Sequence, residues 1–318
     1  MKTVIPDDFP ALFRDSGEIE RLRELGEAVC YTTRAADDAE LVGRLQGAEA
    51  VVNMRSFTRF TDEVLAACPD LRIISISGTG TDNVDLAAAE RRGVVVCNTP
   101  DANSDSVAEH TWALLLGLAR GLRTMEDAMR SGEWWHHYGM ELRGKTLGLV
   151  GLGRIGRRVA GMGRAFGMRV IAWSWSNDDA RAAELGVELM ELEALLAQSD
   201  VVSLHLRLTD QSRGILGAKE LALLRPHALL VNTARGALVD EYALVEMLNE
   251  GRLGGAALDC YSEEPLPHRH PLRGSLHTLL IPHAGWMTRE ARTRMLSQPV
   301  DHILAWRAGS PVNVVRPA

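Results

Sequence analysis

Three side chains that could share one reaction stand far apart in this chain. Arg235, Glu264 and His283 each follow a hydrophobic, strand-like run, and all lie downstream of Gly151-Leu152-Gly153-Arg154-Ile155-Gly156. One cation, one carboxylate and one imidazole are the groups that reversible hydride transfer to a 2-keto acid needs. A guanidinium is planar and always charged, so it grips a carboxylate bidentately. An imidazole moves a proton near neutral pH. A neighbouring acid steadies the imidazolium and fixes its tautomer. The glycine loop would hold the dinucleotide that carries the hydride.

The loop has the right neighbours. Lys145–Val150 reads as a short buried strand, Arg154–Phe166 as a helix and Met168–Trp173 as a second strand. Glycines also serve ordinary turns, but three at this spacing between a strand and a helix let backbone N–H groups approach a pyrophosphate. At the end of the second strand an acid usually meets the adenine ribose. Here that position is Ser174, with Asp178 and Asp179 nearby and no basic residue before Arg181. Neutral-to-acidic surroundings give a 2′-phosphate little to pair with. The expected cofactor is NAD, with NADP left open because Ser174 would not repel a phosphate.

Strand and helix patterns alternate almost throughout. Early strands are expected at Ala50–Met54, Arg72–Ser77 and Val94–Asn98, with helices at Glu18–Leu25, Asp62–Ala67 and Leu86–Arg91. Later strands are expected near Leu147–Val150, Arg169–Trp173, Val201–Leu206, Ala228–Asn232, Gly255–Asp259 and His277–Ile281. Ser106–Arg123 reads as one long apolar helix and Thr288–Trp306 as a final helix. Such alternation gives parallel sheets covered by helices. Because a complete α/β unit precedes Gly151, two domains are required.

The remaining bounds exclude more than they assign. With 318 residues, the chain can bury two cores. Its formal net charge of -7, with no long basic run, argues against nucleic acid or an anionic membrane as partner. Cys30, Cys68, Cys97 and Cys260 lack metal-ligand spacing. The first residues lack a signal-like apolar run, and the stretch around Trp112–Ala119 is too short to span a bilayer. A reduced, cytoplasmic protein is expected. Neither His136 with His137 nor His268 with His270 offers a convincing ligand set, even with Glu263 added, so no metal is expected.

Over nearly its whole length the chain resembles the D-isomer-specific 2-hydroxyacid dehydrogenases. The resemblance rests on Gly78-Thr79-Gly80-Thr81-Asp82-Asn83-Val84-Asp85, on Ser106-Val107-Ala108-Glu109-His110 and on the stretch from Gly144 to Gly156. It continues through Val231-Asn232-Thr233-Ala234-Arg235-Gly236, Ala257-Leu258-Asp259, Glu263-Glu264-Pro265 and Pro282-His283-Ala284-Gly285. It implies an α/β fold of two doubly wound parallel-sheet domains. A Rossmann nucleotide domain, 99–287, is inserted into a flavodoxin-like substrate domain made of 1–98 and 288–318. It also implies a homodimer formed mainly through the nucleotide domains.

Residue by residue, the resemblance makes Arg235 the binder of the substrate carboxylate, Glu264 the acid bonded to the catalytic histidine and His283 the general acid/base. Glu263 is the competing acid. Gly151, Gly153, Arg154, Ile155 and Gly156 would face the pyrophosphate. Thr233 and Ala234 would lie beside the nicotinamide half, and Asp259 would accept from its carboxamide. Ser174, His205, Leu206 and Arg207 would lie near the adenosine. Arg207 departs from the proline common in relatives and could meet a 2′-phosphate. For the small 2-keto or 2-hydroxy acid itself, Ser77, Gly78 and Thr79 could present backbone N–H groups. Arg55 resembles a position that holds a distal anion, although an exposed arginine is ordinary. Trp286 could wall the pocket or simply pack.

Other members of the wider fold compete with this reading. Formate dehydrogenase carries glutamine where Glu264 stands. A dinucleotide-sensing corepressor would keep the fold and the triad without efficient turnover. A hydrolase such as adenosylhomocysteine hydrolase would need insertions and a cysteine signature that the sequence lacks.

Overall fold

The computed structural model describes residues 1–54, 58–176 and 178–317. The chain forms two compact units: Met1–Asn103 with Met287–Ala318, and Ser104–Trp286.

The first unit starts with β1 (Lys2–Ile5), α1 (Glu18–Arg23), β2 (Glu27–Cys30), α2 (Asp38–Leu45) and β3 (Ala50–Asn53). It continues with α3 (Asp62–Ala66), β4 (Ile73–Ile76), α4 (Leu86–Arg91) and β5 (Val95–Cys97). The five strands pair in parallel in the order β2-β1-β3-β4-β5. This is the flavodoxin-like order. Successive strand residues face opposite layers: Val51 and Ile74 join one apolar cluster, while Ala50, Val52 and Ile73 join the other. Helices cover both faces, so the strands read as continuous apolar runs rather than alternating ones.

The second unit holds α5 (Ser104–Ala119), α6 (Leu122–Ser131), β6 (Thr146–Val150), α7 (Arg154–Ala165), β7 (Arg169–Trp173), α8 (Asp179–Leu185) and β8 (Glu188–Leu189). After these come α9 (Leu192–Gln198), β9 (Val201–Leu204), α10 (Ala218–Leu221), β10 (Leu229–Asn232), α11 (Glu241–Asn249), β11 (Gly255–Leu258) and β12 (Thr278–Leu280). Its sheet is wholly parallel, in the order β12-β11-β10-β9-β6-β7-β8. The direction of winding reverses between β6 and β9. Open α/β sheets bind ligands beyond the C-terminal strand ends at such a point.

The helix expected over Ser106–Arg123 is instead two. Gly121 adopts a left-handed φ of 61°, and a side chain there would press into the His137 ring. That turn ends α5 and starts α6. The final helix, α12 (Arg289–Arg307), belongs to the first unit, where Leu296, Val300 and Ile303 enter its core. The tail then bridges back to β5, with the Val315 N–H donating to Val96 O at 2.8 Å.

Candidate active site

At the end of β6 the chain turns through the glycine loop because side chains there would collide with backbone. A Cβ on Gly151, which has φ 105°, would sit 2.7 Å from His205 O. On Gly156 it would sit 2.2 Å from Gly151 O. On Gly153 it would meet nothing within 4 Å. Gly153 is the N-cap of α7 and brings no capping side chain. The first-turn N–H groups of an α-helix have no intrahelical acceptor, and they lie at its positive end. Open space over Gly153, with backbone donors beneath it, fits a dinucleotide pyrophosphate.

The acid–base groups lie further along the same sheet edge. His283 Nδ1 is 2.8 Å from Glu264 Oε2, and both side chains are about one-third exposed. The other oxygen, Glu264 Oε1, accepts the Tyr261 N–H at 3.0 Å. Burial works against ionisation of Glu264. Its bond to His283, the Tyr261 N–H and the Arg235 charge prevail and hold the carboxyl below its ordinary range. Glu263 is exposed and makes no such contact among the described residues. The structure thus pairs His283 with Glu264, not with the competing acid.

His283 itself has a positive φ of 54°, an uncommon conformation for a non-glycine residue. Its loop is braced from below. Asp259 is buried at the end of β11, and its two oxygens accept the N–H groups of Ala284 at 2.7 Å and Gly285 at 2.8 Å. From α5, Ser106 Oγ donates to Gly285 O at 2.6 Å, and His110 Nε2 lies 3.3 Å from Asp259 Oδ1. Ser106 and His110 are one helical turn apart, which puts them on one face. Their motif is visible in the sequence, but its bond to the histidine loop is not.

Arg235 begins the short 3-10 turn Gly236–Leu238 after β10. Asn232 fixes this loop: its Nδ2 donates to Arg235 O at 2.9 Å, and its Oδ1 accepts the Ala234 N–H at 3.0 Å. A Cβ on Gly236 would stand 2.0 Å from Tyr261 C and 2.3 Å from Ser262 N. Glycine at 236 therefore lets the Arg235 loop touch the loop that carries Glu264. Thr233 Oγ1 lies 2.8 Å from Thr111 Oγ1 on α5, and Ala234 is half-buried.

The remaining predicted positions are spread more widely. Ser174 follows β7, half-buried, with its hydroxyl 3.5 Å from Ser176 Oγ. Asp178 caps α8 by accepting the Arg181 N–H at 3.0 Å and pairs with Arg181 Nε at 3.3 Å. His205 is 2.9 Å from Ser203 Oγ, and burial pushes its imidazole down to about 3, so it is neutral. Leu206 is half-buried and Arg207 exposed. In the first unit, the Ser77 N–H donates to Asn53 O at 2.9 Å, so it is not the free donor expected. The N–H groups of Gly78 and Thr79 have no acceptor among the described residues. Trp286 is half-buried. Arg55 lies outside the described residues. Among the described residues, no three His, Cys, Asp or Glu side chains gather as a metal site, and no helix is long and apolar enough to cross a membrane.

Fold and geometry together describe an oxidoreductase built around a nicotinamide dinucleotide. Residues 112–285 match the family model for the NAD-binding domain of D-isomer specific 2-hydroxyacid dehydrogenases. The chain belongs to that family and transfers a hydride between a nicotinamide cofactor and a 2-keto or 2-hydroxy acid. It is 43% identical to a glyoxylate reductase of Aeropyrum pernix over 86% of this chain and 85% of the relative. It is 40% identical to a D-3-phosphoglycerate dehydrogenase of Methanocaldococcus jannaschii over 86% of this chain but only 52% of the relative. The crystal structure of an Aquifex aeolicus D-lactate dehydrogenase with NAD and lactic acid superposes with a TM-score of 0.88, at 27% identity, covering all of both chains.

Proposed function

We propose that this enzyme reduces a small, glyoxylate-like 2-keto acid, with Arg235, His283 and Glu264 as its working side chains. The carrying observation is the 2.8 Å contact between His283 Nδ1 and Glu264 Oε2, beside an Arg235 loop in direct backbone contact with Tyr261 and Ser262. A bound nicotinamide supplies the hydride in reduction and accepts it in oxidation. Arg235 binds the substrate carboxylate and polarises its keto oxygen. With Nδ1 held by Glu264, His283 Nε2 gives a proton to the developing alkoxide and takes it back in the reverse direction. Asp259 holds the backbone just after His283, which leaves contact with the carboxamide as its second role. The unit Ser104–Trp286 takes the cofactor.

Small substrate size is supported by the relatives. The glyoxylate reductase matches along most of its own length and the phosphoglycerate dehydrogenase along about half. NAD is preferred over NADP in this reading, because Asp178 and Asp179 stand near Ser174 and the arginine next along the chain, Arg181, is paired with Asp178. Initial rates of reduction of glyoxylate, hydroxypyruvate, phosphohydroxypyruvate and branched 2-keto acids, each with NADH and NADPH, test all of this. Highest efficiency with a branched or phosphorylated acid would reject the substrate assignment.

A homodimer completes the reading. α6 buries none of its side chains, and Trp134 and Tyr138 beyond it are 79% and 99% exposed. Large aromatic side chains left in water mark a protein interface. Sedimentation of the enzyme as a monomer at micromolar concentration would remove this proposal. The four free cysteines suit a reducing, cytoplasmic setting.

A further inference from the structure

Another carboxylate–imidazole pair, Glu241 with His270, lies one loop away from His283 and Glu264. Glu241 is the first residue of α11, where an acid ordinarily points to water and favours the helix dipole. Here its side chain is only 7% exposed and turns inward. Asp240 does the capping instead, accepting the N–H groups of Tyr242 and Ala243. Glu241 Oε1 accepts the Ser262 N–H at 2.7 Å, and Oε2 lies 3.3 Å from His270 Nε2. The imidazole of His270 is buried as deeply, at 8% exposure. Its Nδ1 accepts the Leu272 N–H at 3.3 Å, which puts the ring proton on Nε2, facing Glu241.

The position of this pair gives it a consequence for the chemistry. Tyr261 and Ser262 are adjacent, and their N–H groups are taken by different carboxylates: Tyr261 by Glu264 at 3.0 Å, Ser262 by Glu241 at 2.7 Å. The same two residues form the backbone wall against which Gly236 packs, next to Arg235. One peptide segment thus sets the place of Glu264 and limits that of Arg235. The buried carboxylate that holds it is oriented by His270.

We propose that Glu241 and His270 are positioning residues: the pair fixes the Tyr261–Ser262 backbone so that Glu264 meets His283 and Arg235 stays in register with both. Neither touches the reacting atoms. The inference rests on the assignment of Glu264 and His283 above, so its test needs one readout that does not depend on turnover.

Two measurements on the full-length protein separate the cases. In Glu241→Ala, kcat for glyoxylate reduction should fall on the order of tenfold, because small misplacements of catalytic groups are costly. The KM for NADH should stay within about twofold, as the glycine loop is untouched. The pH profile should move towards lower pH, in the same direction as in Glu264→Gln. Independently of activity, amide exchange should quicken at Tyr261 as well as at Ser262. Quicker exchange at Ser262 alone, with kcat and pH profile unmoved, would overturn the proposal, as would a lowered melting temperature as the sole effect. Should Glu241→Ala not fold, His270→Ala and His270→Gln take its place. Gln can still donate to Glu241, so it should restore the profile that Ala shifts, and identical profiles in both would reject the role. An unmodified protein without keto-acid turnover would defeat the functional reading, while the Tyr261 exchange would still decide the positioning claim.

Discussion

The glycine loop after β6 and the acid–base loops after β10, β11 and β12 share one edge of one sheet, yet they are built in opposite ways. The first works by having no side chains. Gly151 and Gly156 are packed against backbone, and Gly153 leaves open space at the N-terminus of α7. The second works by interlocking polar side chains with backbone: Asn232 on Arg235, Glu264 on Tyr261, Glu241 on Ser262 and Asp259 on Ala284 and Gly285. A pyrophosphate is large and charged and asks only for donors and room. A proton moves over a fraction of an ångström, so its donor must be fixed by several bonds. Disturbing the two regions should therefore damage different steps.

The largest effect is expected at His283. His283→Ala should lower kcat by a factor on the order of 10² to 10⁴ while leaving NADH binding intact. Fluorescence titration with NADH beside steady-state rates checks both halves, and near-normal turnover would remove His283 from the mechanism. Glu264→Gln should cost less, on the order of 10- to 100-fold, because the amide still accepts from Tyr261 but has lost its charge. Without that charge the imidazolium is lost at lower pH, so the limb of the reduction profile that needs it should move down. Stability has its own sign. The Glu264 carboxyl is held below its ordinary 4.5, so its stabilising contribution is complete above that value. It is lost as pH falls through the lower folded-state value. Melting curves of the unmodified protein should show this acid loss, and those of Glu264→Gln should lack that part of it.

In the glycine loop two alanines should part company. Gly156→Ala places a Cβ 2.2 Å from a carbonyl oxygen that cannot move away cheaply, so it should cost about 1–3 kcal/mol of stability or more. Gly153→Ala meets nothing and has an ordinary φ of -75°, so its melting temperature should hold. Its new methyl would instead occupy the space over the donors, raising the KM for NADH on the order of tenfold, about 1.4 kcal/mol. A Gly153→Ala enzyme with unchanged KM would mean that the pyrophosphate does not lie there.

The contrast also explains what the sequence could reveal. β9, β10 and β11 are legible because a sheet covered on both faces demands unbroken apolar runs, and Val201–Leu204, Leu229–Asn232 and Gly255–Leu258 supply them. The glycine loop is legible because its constraint is local: each glycine answers to backbone a few residues away or to the next strand. β1, β2 and β8 are not legible. They are two to four residues long, and β2 and β8 are edge strands without a clear apolar pattern. Arg235, Glu264 and His283 emerge from motifs, and so do Asn232 and Asp259, but the bonds by which these hold the loops do not. Glu241 looks like an ordinary first-turn acid, and Asp259 reads as a cofactor contact rather than as the brace of the His283 loop. What fixes their roles is contact across 21 and 25 residues, which no periodicity records.

The smallest effect concerns the outer end of the dinucleotide. Ser174 follows β7 and Arg207 follows β9, with β6 between them. Two strand spacings put the ends of β7 and β9 roughly 10 Å apart. The guanidinium nearer in sequence, Arg181, is paired with Asp178, which also caps α8. A 2′-phosphate beside Ser174 would thus find Arg181 already paired, while a ribose hydroxyl could share the serine. The expected outcome is an NADH preference below about a hundredfold in kcat/KM, since one such hydrogen bond contributes only about 0.5–1.5 kcal/mol. Ser174→Asp should widen it, by repelling the phosphate and accepting from both ribose hydroxyls. Arg207→Ala should change NADH and NADPH alike if its guanidinium stays on its own strand end, and should damage NADPH alone if the side chain reaches across β6. Parallel kcat/KM ratios for the three proteins decide this. A strong NADPH preference in the unmodified enzyme, abolished by Arg207→Ala, would show that the cofactor choice is made by a side chain after all, even in a region otherwise built from backbone.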